Sequence, residues 1–422
     1  MWEPKWTQAQ DFGPGARFGH AIAYDSLRAR CVLFGGSDGQ SVLGDTWEWD
    51  GSYWTQYADF GPPPRSATAA AFETFAGGTQ GRVVLFGGTG ADGSALGDTW
   101  TWDGSYWTQV ADSGPSARRG HVLVFDFGRG RTVLFGGSAD GALTGDTWEW
   151  DGGSWQRALA REAPPPRELA GGAYGGNRTM VFGGTGAGGA ILGDTWEWDG
   201  SHWTEIEGVE EPAPRAGGAL AYNGENVALF GGIGAAETSP ATLFGDTWQF
   251  DGQTWTQVEN TGLQGRWQHA MAFDSGRYRL VMFGGSSSSS SAAALGDTWQ
   301  TPGDWEGLKL TSFELSLGRG PQPAYGEMAF SGPAPAGGVV VEISVTPPEP
   351  NVSLAVVAQP PAPEIPGPPL PGPPWNVPVP AGSSTVQLAI TIPVSLTNLN
   401  LDFVATLGNI SITQIVGPDA PP

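Results

Sequence analysis

Short apolar stretches alternate with Gly-, Pro- and Ser-rich segments along residues 1–305, and the pattern returns about every 50 residues. One apolar stretch ends in Phe-Gly-Gly in each repeat, with its Phe at positions 34, 86, 135, 182, 230 and 283. Gly-Asp-Thr-Trp follows each time, with its Trp at positions 47, 100, 148, 196, 248 and 299. Short strands repeated with this period predict the blades of a six-bladed, all-β propeller.

Each repeat predicts four antiparallel strands. The first is rich in Ala and Gly, which suits a strand crowded against the propeller axis, and the second is the stretch that ends in Phe-Gly-Gly. The third begins in Gly-Asp-Thr-Trp, and an Asp-Gly pair typical of a two-residue type I′ turn joins it to the fourth. With this turn at Asp50-Gly51, we expect Trp49 to pair with Ser52 and Trp47 with Trp54.

The same register predicts a facing pair of Trp side chains in each of the first five blades. These pairs are Trp47–Trp54, Trp100–Trp107, Trp148–Trp155, Trp196–Trp203 and Trp248–Trp255. Cross-strand aromatic pairs stabilise a sheet by roughly 0.2–1 kcal/mol each. Stacking on sugars is one use of such a ladder, but its recurrence in every blade favours a core between blades.

The sixth repeat differs at its end, because residues 299–305 lack the Asp-Gly turn. Trp6-Thr7-Gln8, near the N-terminus, matches Trp54-Thr55-Gln56 at the start of a fourth strand. We therefore predict that the N-terminal segment supplies the outer strand of the sixth blade. The alternative is that Trp305 supplies it.

These motifs resemble those of the kelch-repeat family of β-propellers. The matching features are Pro-x-x-Arg-x-x-His, at 14–20 and 115–121, the Phe-Gly-Gly, and an Asp-x-Trp followed seven residues later by Trp. The resemblance covers residues 1–305 and implies a kelch-like propeller for this domain. His occupies its slot only at positions 20, 121 and 269.

The pattern changes in residues 306–422, which predict a second domain. Six β-type stretches favour a β-sandwich, at 312–317, 326–331, 338–345, 386–392, 399–407 and 411–416. Segments 330–341 and 377–384 resemble bacterial immunoglobulin-like modules of surface and secreted proteins. Between them, 360–378 is Pro-rich and predicts an extended arm or surface loop, in which Trp375 is a candidate assembly contact.

Composition narrows the class of protein further. Gly and Pro together make up 102 of 422 residues, yet 20 Trp exclude a disordered chain. The net charge of −23 argues against nucleic acid or an anionic membrane as the main partner. No run approaches the ~20 apolar residues of a membrane span. The first residues lack the apolar region of a signal peptide, so the sequence leaves open a cytosolic chain, a removed signal or a virion protein.

Six arginines, one ahead of each first strand, are the candidate ligand-binding residues: Arg17, Arg65, Arg118, Arg167, Arg215 and Arg266. They could ring one mouth of the channel and attract an anion or an acidic peptide. Alternatively, each pairs with the Asp of Gly-Asp-Thr-Trp in its own blade. One Arg and one Asp per blade favour the pairing.

Catalytic motifs do not stand out. There is no P-loop, no Gly-x-Ser-x-Gly elbow and no His-Glu-x-x-His. A kelch-type copper oxidase would need a Tyr–Cys pair and His ligands, but the single cysteine, Cys31, falls inside a predicted buried strand. We therefore expect no catalytic residue, cofactor or metal.

The sequence favours a non-enzymatic extracellular or cell-surface protein for adhesion or for assembly into a sheath or filament. Its expected partners are a protein or glycan at a cell surface, or further copies of itself. A polysaccharide-active hydrolase or lyase, or a virion decoration or fibre protein, are the alternatives.

Overall fold

The computed structural model describes residues 6–9, 12–57, 60–75, 80–160, 162–208, 211–235, 241–258, 263–289 and 293–301, and the backbone of eight further strands between 310 and 416. The chain divides into two compact units, one comprising Met1–Ser275 and Arg279–Pro302 and the other Gly276–Tyr278 and Gly303–Pro422. None of the helices in the described ranges has the length and apolarity that a membrane span requires.

The first unit is a six-bladed propeller, as the repeats predict, and each blade is an antiparallel sheet built around four strands. The inner strands are Ala21–Asp25, Ala69–Thr74, Val122–Asp126, Gly171–Gly175, Ala219–Tyr222 and Ala270–Asp274. The second strands are Arg30–Phe34, Gly81–Gly90, Arg131–Phe135, Arg178–Thr185, Val227–Phe230 and Arg279–Phe283.

The third strands carry the Gly-Asp-Thr-Trp motif and span Thr46–Trp49, Ala95–Trp102, Thr147–Trp150, Ile191–Trp198, Thr247–Phe250 and Thr298–Gln300. The outer strands are Trp54–Gln56, Trp107–Ala111, Trp155–Ala158, Trp203–Ile206, Trp255–Val258 and, from the N-terminus, Thr7–Gln8. Short additions are the strands Arg65–Ser66, Ser138–Ala139 and Ala142–Leu143 and a 3₁₀ turn at Ala187–Gly189.

The ring closes through the N-terminal segment. Thr7 pairs with Gln300 and Gln8 with Trp299, so the first strand of the chain lies at the outer edge of the sixth sheet. Trp6 is buried beside this strand and donates from its indole N–H to the hydroxyl of Thr247 in the fifth blade, at 3.3 Å. The segment therefore ties the first residues of the propeller to its last two blades.

A cycle of backbone hydrogen bonds links the six blades just before their inner strands. One residue per blade donates its N–H to the carbonyl of the preceding blade at 2.7–2.9 Å, and all six have positive φ: Gly19, Ala67, Gly120, Leu169, Gly217 and Gln268. Gly19 accepts from Ala67 and donates to Gln268, so the cycle has no free end. Three of the six are not glycine, and the cycle holds them in a conformation that L-residues rarely adopt.

The predicted register between third and fourth strands is wrong by two residues. Trp49 pairs with Trp54, and Trp47 lies opposite Gln56. The carboxylate of Asp50 accepts the N–H groups of Ser52 and Tyr53, and Gly51 takes φ +100°, so the loop residues are Gly51-Ser52. Moving the loop by one residue moves each cross-strand partner by two, so the Trp side chains keep their faces but every predicted Trp pair is replaced.

The observed facing pairs are Trp49–Trp54, Trp102–Trp107, Trp150–Trp155, Trp198–Trp203 and Phe250–Trp255, with ring centroids 5.2–5.6 Å apart. All of these rings are buried. The outer Trp also contacts the neighbouring blade, as Trp54 does edge-to-face with Phe283 at 5.4 Å. The aromatic ladder is therefore a core between blades.

In the part of the second unit that the structure describes, eight strands form two four-stranded antiparallel sheets. One sheet contains Leu310–Ser316, Ala324–Phe330, Thr385–Thr391 and Ser353–Val356, in that order. The other contains Trp375–Val379, Val339–Thr346, Leu401–Leu407 and Ile410–Val416. The end of the predicted Pro-rich arm is thus a paired strand; residues 360–374 and the side chain of Trp375 lie outside the described part.

Candidate functional site

Each of the six candidate arginines lies in the Pro/Gly-rich lead to an inner strand, and local contacts fix its side chain. Arg17 donates from Nε to the carbonyl of Gly15 at 2.9 Å and from Nη1 to the carbonyl of Gly35 at 2.9 Å. Its two Nη groups donate to the two carboxylate oxygens of Asp45, at 2.6 and 2.9 Å. Planar, two-point pairing of this kind is the strong form of an Arg–carboxylate bond.

The arrangement repeats in every blade. The ion pairs are Arg17–Asp45, Arg65–Asp98, Arg118–Asp146, Arg167–Asp194, Arg215–Asp246 and Arg266–Asp297, with shortest N–O distances of 2.6–2.7 Å. The arginine side chains are at most 2 % exposed, and the aspartates keep about a fifth of their surface in water. Each pair joins an inner-strand lead to the start of the third strand in one blade.

The pairing sets the charge state of the aspartates. Partial burial alone would raise the pKa of the Asp45 carboxyl, but hydrogen bonds and the charge of Arg17 hold that pKa below its usual value. The same causes lower the pKa of the other five aspartates. All six aspartates are therefore ionised at neutral pH.

The six arginines are poorly placed to bind a soluble anion, because they are buried and their donors are used by protein partners. Arg118, for example, spends its donors on the carbonyls of Ser116 and Gly136, on Asp146, and on the hydroxyls of Ser116 and Thr144. A ligand would have to displace these partners from a buried site. The geometry is that of the pairing alternative, in which the arginines hold the blade together.

The Thr and the Trp of Gly-Asp-Thr-Trp make contacts between blades and within a blade, respectively. Thr46 accepts a hydrogen bond from the indole of Trp107 in the next blade at 2.9 Å, and Trp47 donates to its own blade's Asp45 at 2.7 Å. Six such Trp-to-Thr bonds circle the propeller: Trp54–Thr298, Trp107–Thr46, Trp155–Thr99, Trp203–Thr147, Trp255–Thr195 and Trp6–Thr247. The tetrapeptide is therefore a joint within and between blades.

The three histidines of the inner leads are buried and neutral. His20 lies edge-on to Phe283 of the preceding blade at 5.5 Å, and His121 to Phe86 at 5.3 Å. Burial, and then the nearby arginine, lower the pKa of His20 and of His121 to about 3, and the same causes lower the pKa of His269. Among the residues that the structure describes, no three His, Cys, Asp or Glu side chains come together as a metal site would require. Cys31 is buried in a second strand.

The face formed by the turns after the inner strands and by the Asp-Gly hairpins carries a feature that the sequence analysis missed. Large apolar side chains are exposed there in the first three blades: Leu27, Tyr53, Phe75, Tyr106 and Phe127. The corresponding positions of blades four to six include Asn177, His202, Glu225, Thr254 and Arg277. We call the first set the aromatic half-face. The sequence shows the aromatic half-face only as a difference between the repeats, and not in the pattern that the repeats share.

Contacts hold parts of the aromatic half-face in place. The guanidinium of Arg82 lies over the ring of Phe75 at 5.1 Å and donates to the carbonyl of Gly152 in the next blade at 2.7 Å. Phe127 packs edge-to-face on Phe125 at 4.8 Å. The rings of Phe75 and Phe127 are therefore each held by a contact within the propeller.

Six four-stranded blades, each held by an Arg–Asp pair and joined to its neighbours by Trp–Thr hydrogen bonds, define a kelch-type β-propeller. The model of the KLHDC2/KLHL20/DRC7 Kelch-repeats domain matches residues 51–232 and 105–285. The matches together span more than half of the chain, and the chain belongs to the kelch-repeat family. The solved structure described as "Structure of YjhT" has a similar fold, with a TM-score of 0.55 and 17 % identity over 68 % of this chain and 95 % of that one.

Proposed function

We propose that this kelch propeller is a non-enzymatic protein of the cell surface or extracellular space that binds protein or glycan partners there and assembles with copies of itself. The observation that carries the proposal is the aromatic half-face. Soluble monomers rarely expose large clustered apolar side chains, and such patches mark interaction surfaces. Tyr is enriched at protein interfaces because its ring is apolar and its hydroxyl stays hydrated.

Several features support an assembly role over catalysis. The conspicuous polar set of the repeats, the six arginines, is used in structural ion pairs. The strongly acidic chain needs a short-range attraction to overcome repulsion between copies, and buried aromatic contacts provide one. In this proposal the second unit is an immunoglobulin-like module, and Trp375 is a contact to a neighbouring subunit.

The experiment compares self-association of the full chain with that of a half-face variant. Tyr53→Thr combined with Tyr106→Thr installs the residue that stands at this position in the fifth blade, and Gln253→Ser on that blade's hairpin is the control. Light scattering after size exclusion, from micromolar to hundreds of micromolar protein, should show oligomers for wild type and control and fewer for the double variant. A chain that stays monomeric throughout and turns over a polysaccharide would contradict the proposal.

A further inference from the structure

A groove lies at the seam between the third and fourth blades, where "seam" means the interface of two neighbouring blades. Its volume is about 390 Å³, which falls in the lower range of small-molecule sites. The walls are the outer strand of blade three and the hairpin turn of blade four, and Glu149 and Trp198 contribute to the lining. Gln156, Arg157, Ser201 and His202 line the exposed part.

The groove exists because one side chain is small. The residue three positions after the outer Trp is Tyr57 in blade one, where its ring packs edge-to-face on Trp102 of the next blade at 5.7 Å. Val110, Ile206 and Val258 occupy this position in blades two, four and five. Blade three has Ala158, which leaves the space beside Trp198 unfilled.

The small residue uncovers a carboxylate. At the seam of blades one and two, both oxygens of Glu48 lie within 2.9 Å of Arg28, and the side chain is 1 % exposed. At the groove, Oε1 of Glu149 takes the bonds from Arg129 and from the Trp198 indole, and the side chain is 18 % exposed. No donor to Oε2 of Glu149 is found in the described part of the chain. One acceptor therefore faces the groove.

The sixth blade tests this comparison within the same molecule. Ala9 is its small residue at the plugging position, but Gln300 replaces the glutamate of the third strand. Glu197 of the fourth blade has the carboxylate, but Ile206 fills the space. Within the described chain, an uncovered carboxylate beside a missing plug thus occurs at one seam only.

The charges around the groove balance. Arg129 bridges Asp126 at 2.6 Å and Glu149 at 2.6 Å, and Arg157 on the rim makes no ion pair with any described residue. Two carboxylates and two guanidinium groups leave little net attraction for a cation or an anion. A neutral ligand with several hydroxyl groups gains most, because it can donate to Glu149 and accept from Arg157, Gln156 and Ser201.

We propose that this groove binds one neutral sugar residue of a glycan, with Glu149 as the hydroxyl acceptor and Arg157 and Gln156 as donors. The proposal deepens the proposed binding function and rests on it, because it names one ligand class for a protein taken to be a binder. It does not involve the aromatic half-face.

The test is a titration of the full chain with the methyl glycosides of glucose, galactose, mannose and N-acetylglucosamine, followed by calorimetry and ligand-observed NMR. At least one should bind with a dissociation constant on the order of 1 mM, as expected for a dozen or so heavy atoms. Ala158→Tyr copies the plug of blade one and should weaken binding at least tenfold. Ala158→Val, which introduces the residue found at this position in blade two, replaces the Tyr variant in the test if that variant does not fold.

A matched pair of surface variants separates the groove from the rest of the strand edge. Gln156→Ala should weaken binding several-fold, whereas Thr108→Ala, at the same strand position in blade two, should leave it within twofold. Absence of saturable binding to all four glycosides, or equal binding by the Ala158 variants, overturns the proposal. Self-association measured on the same samples then shows whether the broader binding function survives.

Discussion

Trp6 is the residue through which the N-terminal segment should contribute most to stability, and replacing it by Ala tests the closure of the ring. Its indole is 7 % exposed, bonds to Thr247 and packs against Phe230 with ring centroids 5.5 Å apart. Truncating a buried Trp costs about 3–5 kcal/mol. We expect Trp6→Ala to destabilise the propeller by that amount, although the strand that follows Trp6 has only two residues.

The size of the unit converts this cost into a shift of melting temperature. Unfolding entropy is roughly 2.1 cal/mol/K per residue, so about 300 residues give roughly 0.6 kcal/mol/K, and the Tm should fall by about 5–8 °C. Differential scanning calorimetry of the full chain at neutral pH measures the propeller transition. Thr7→Ala, which removes an exposed hydroxyl bond to Gln300, is the control and should change the Tm by about 1 °C or less.

A Trp6→Ala protein that melts within about 1 °C of wild type would refute the reasoning. It would mean that the outer strand of blade six adds nothing to the closed ring. Trp6→Phe refines the result, because it keeps most of the packing with Phe230 and loses only the bond to Thr247, a loss of about 0.5–1.5 kcal/mol.

Three further predictions concern charges. Arg118→Met leaves the Asp146 carboxylate without its partner, and we expect the free energy of unfolding in denaturant to fall by an amount near the lower end of about 3–5 kcal/mol. Adding Asp146→Asn should recover part of this loss. An unchanged midpoint would contradict the structural role of the pair. The six motif aspartates have lowered pKa values in the folded state, so their stabilisation is present above the unfolded pKa and is lost as pH falls through the folded values. The Tm should therefore drop below about pH 4, and a flat acid profile would count against it. Burial raises the pKa of Glu197, so Glu197→Gln should raise the Tm at neutral pH and not at acidic pH, whereas Glu149→Gln should lower it.

The repeats predicted the propeller because the joints that make it are local and identical. Each Gly-Asp-Thr-Trp has its Arg partner in the same repeat. The spacing of the motifs alone therefore places an Arg, an Asp and a Trp in every blade. The closing strand was equally readable, because Trp6-Thr7-Gln8 copies the start of an outer strand. The hydrogen bond from Trp107 to Thr46 could not be predicted from the sequence, because it depends on how two blades pack against each other.

Register and surface were harder to predict. The Asp-Gly pair suggested a type I′ turn, but the Asp50 carboxylate takes two backbone N–H groups and moves the loop by one residue. The aromatic half-face and the groove beside Ala158 depend on differences between repeats. A consensus pattern averages such differences away, and only a blade-by-blade comparison in space reveals them.

The backbone cycle that joins Gly19 to Gln268 has a consequence for how such a protein could change in evolution. In this head-to-tail cycle every member is both a donor and an acceptor, so a blade can be added or removed only if its two neighbours form the bond again across the new junction. Duplicating or deleting one blade would open it and force a new circle of different diameter. The main chain therefore opposes a change in the count of six, whereas side chains outside the shared Arg–Asp and Trp–Thr contacts, such as those of Tyr57 and Ala158, can differ from repeat to repeat.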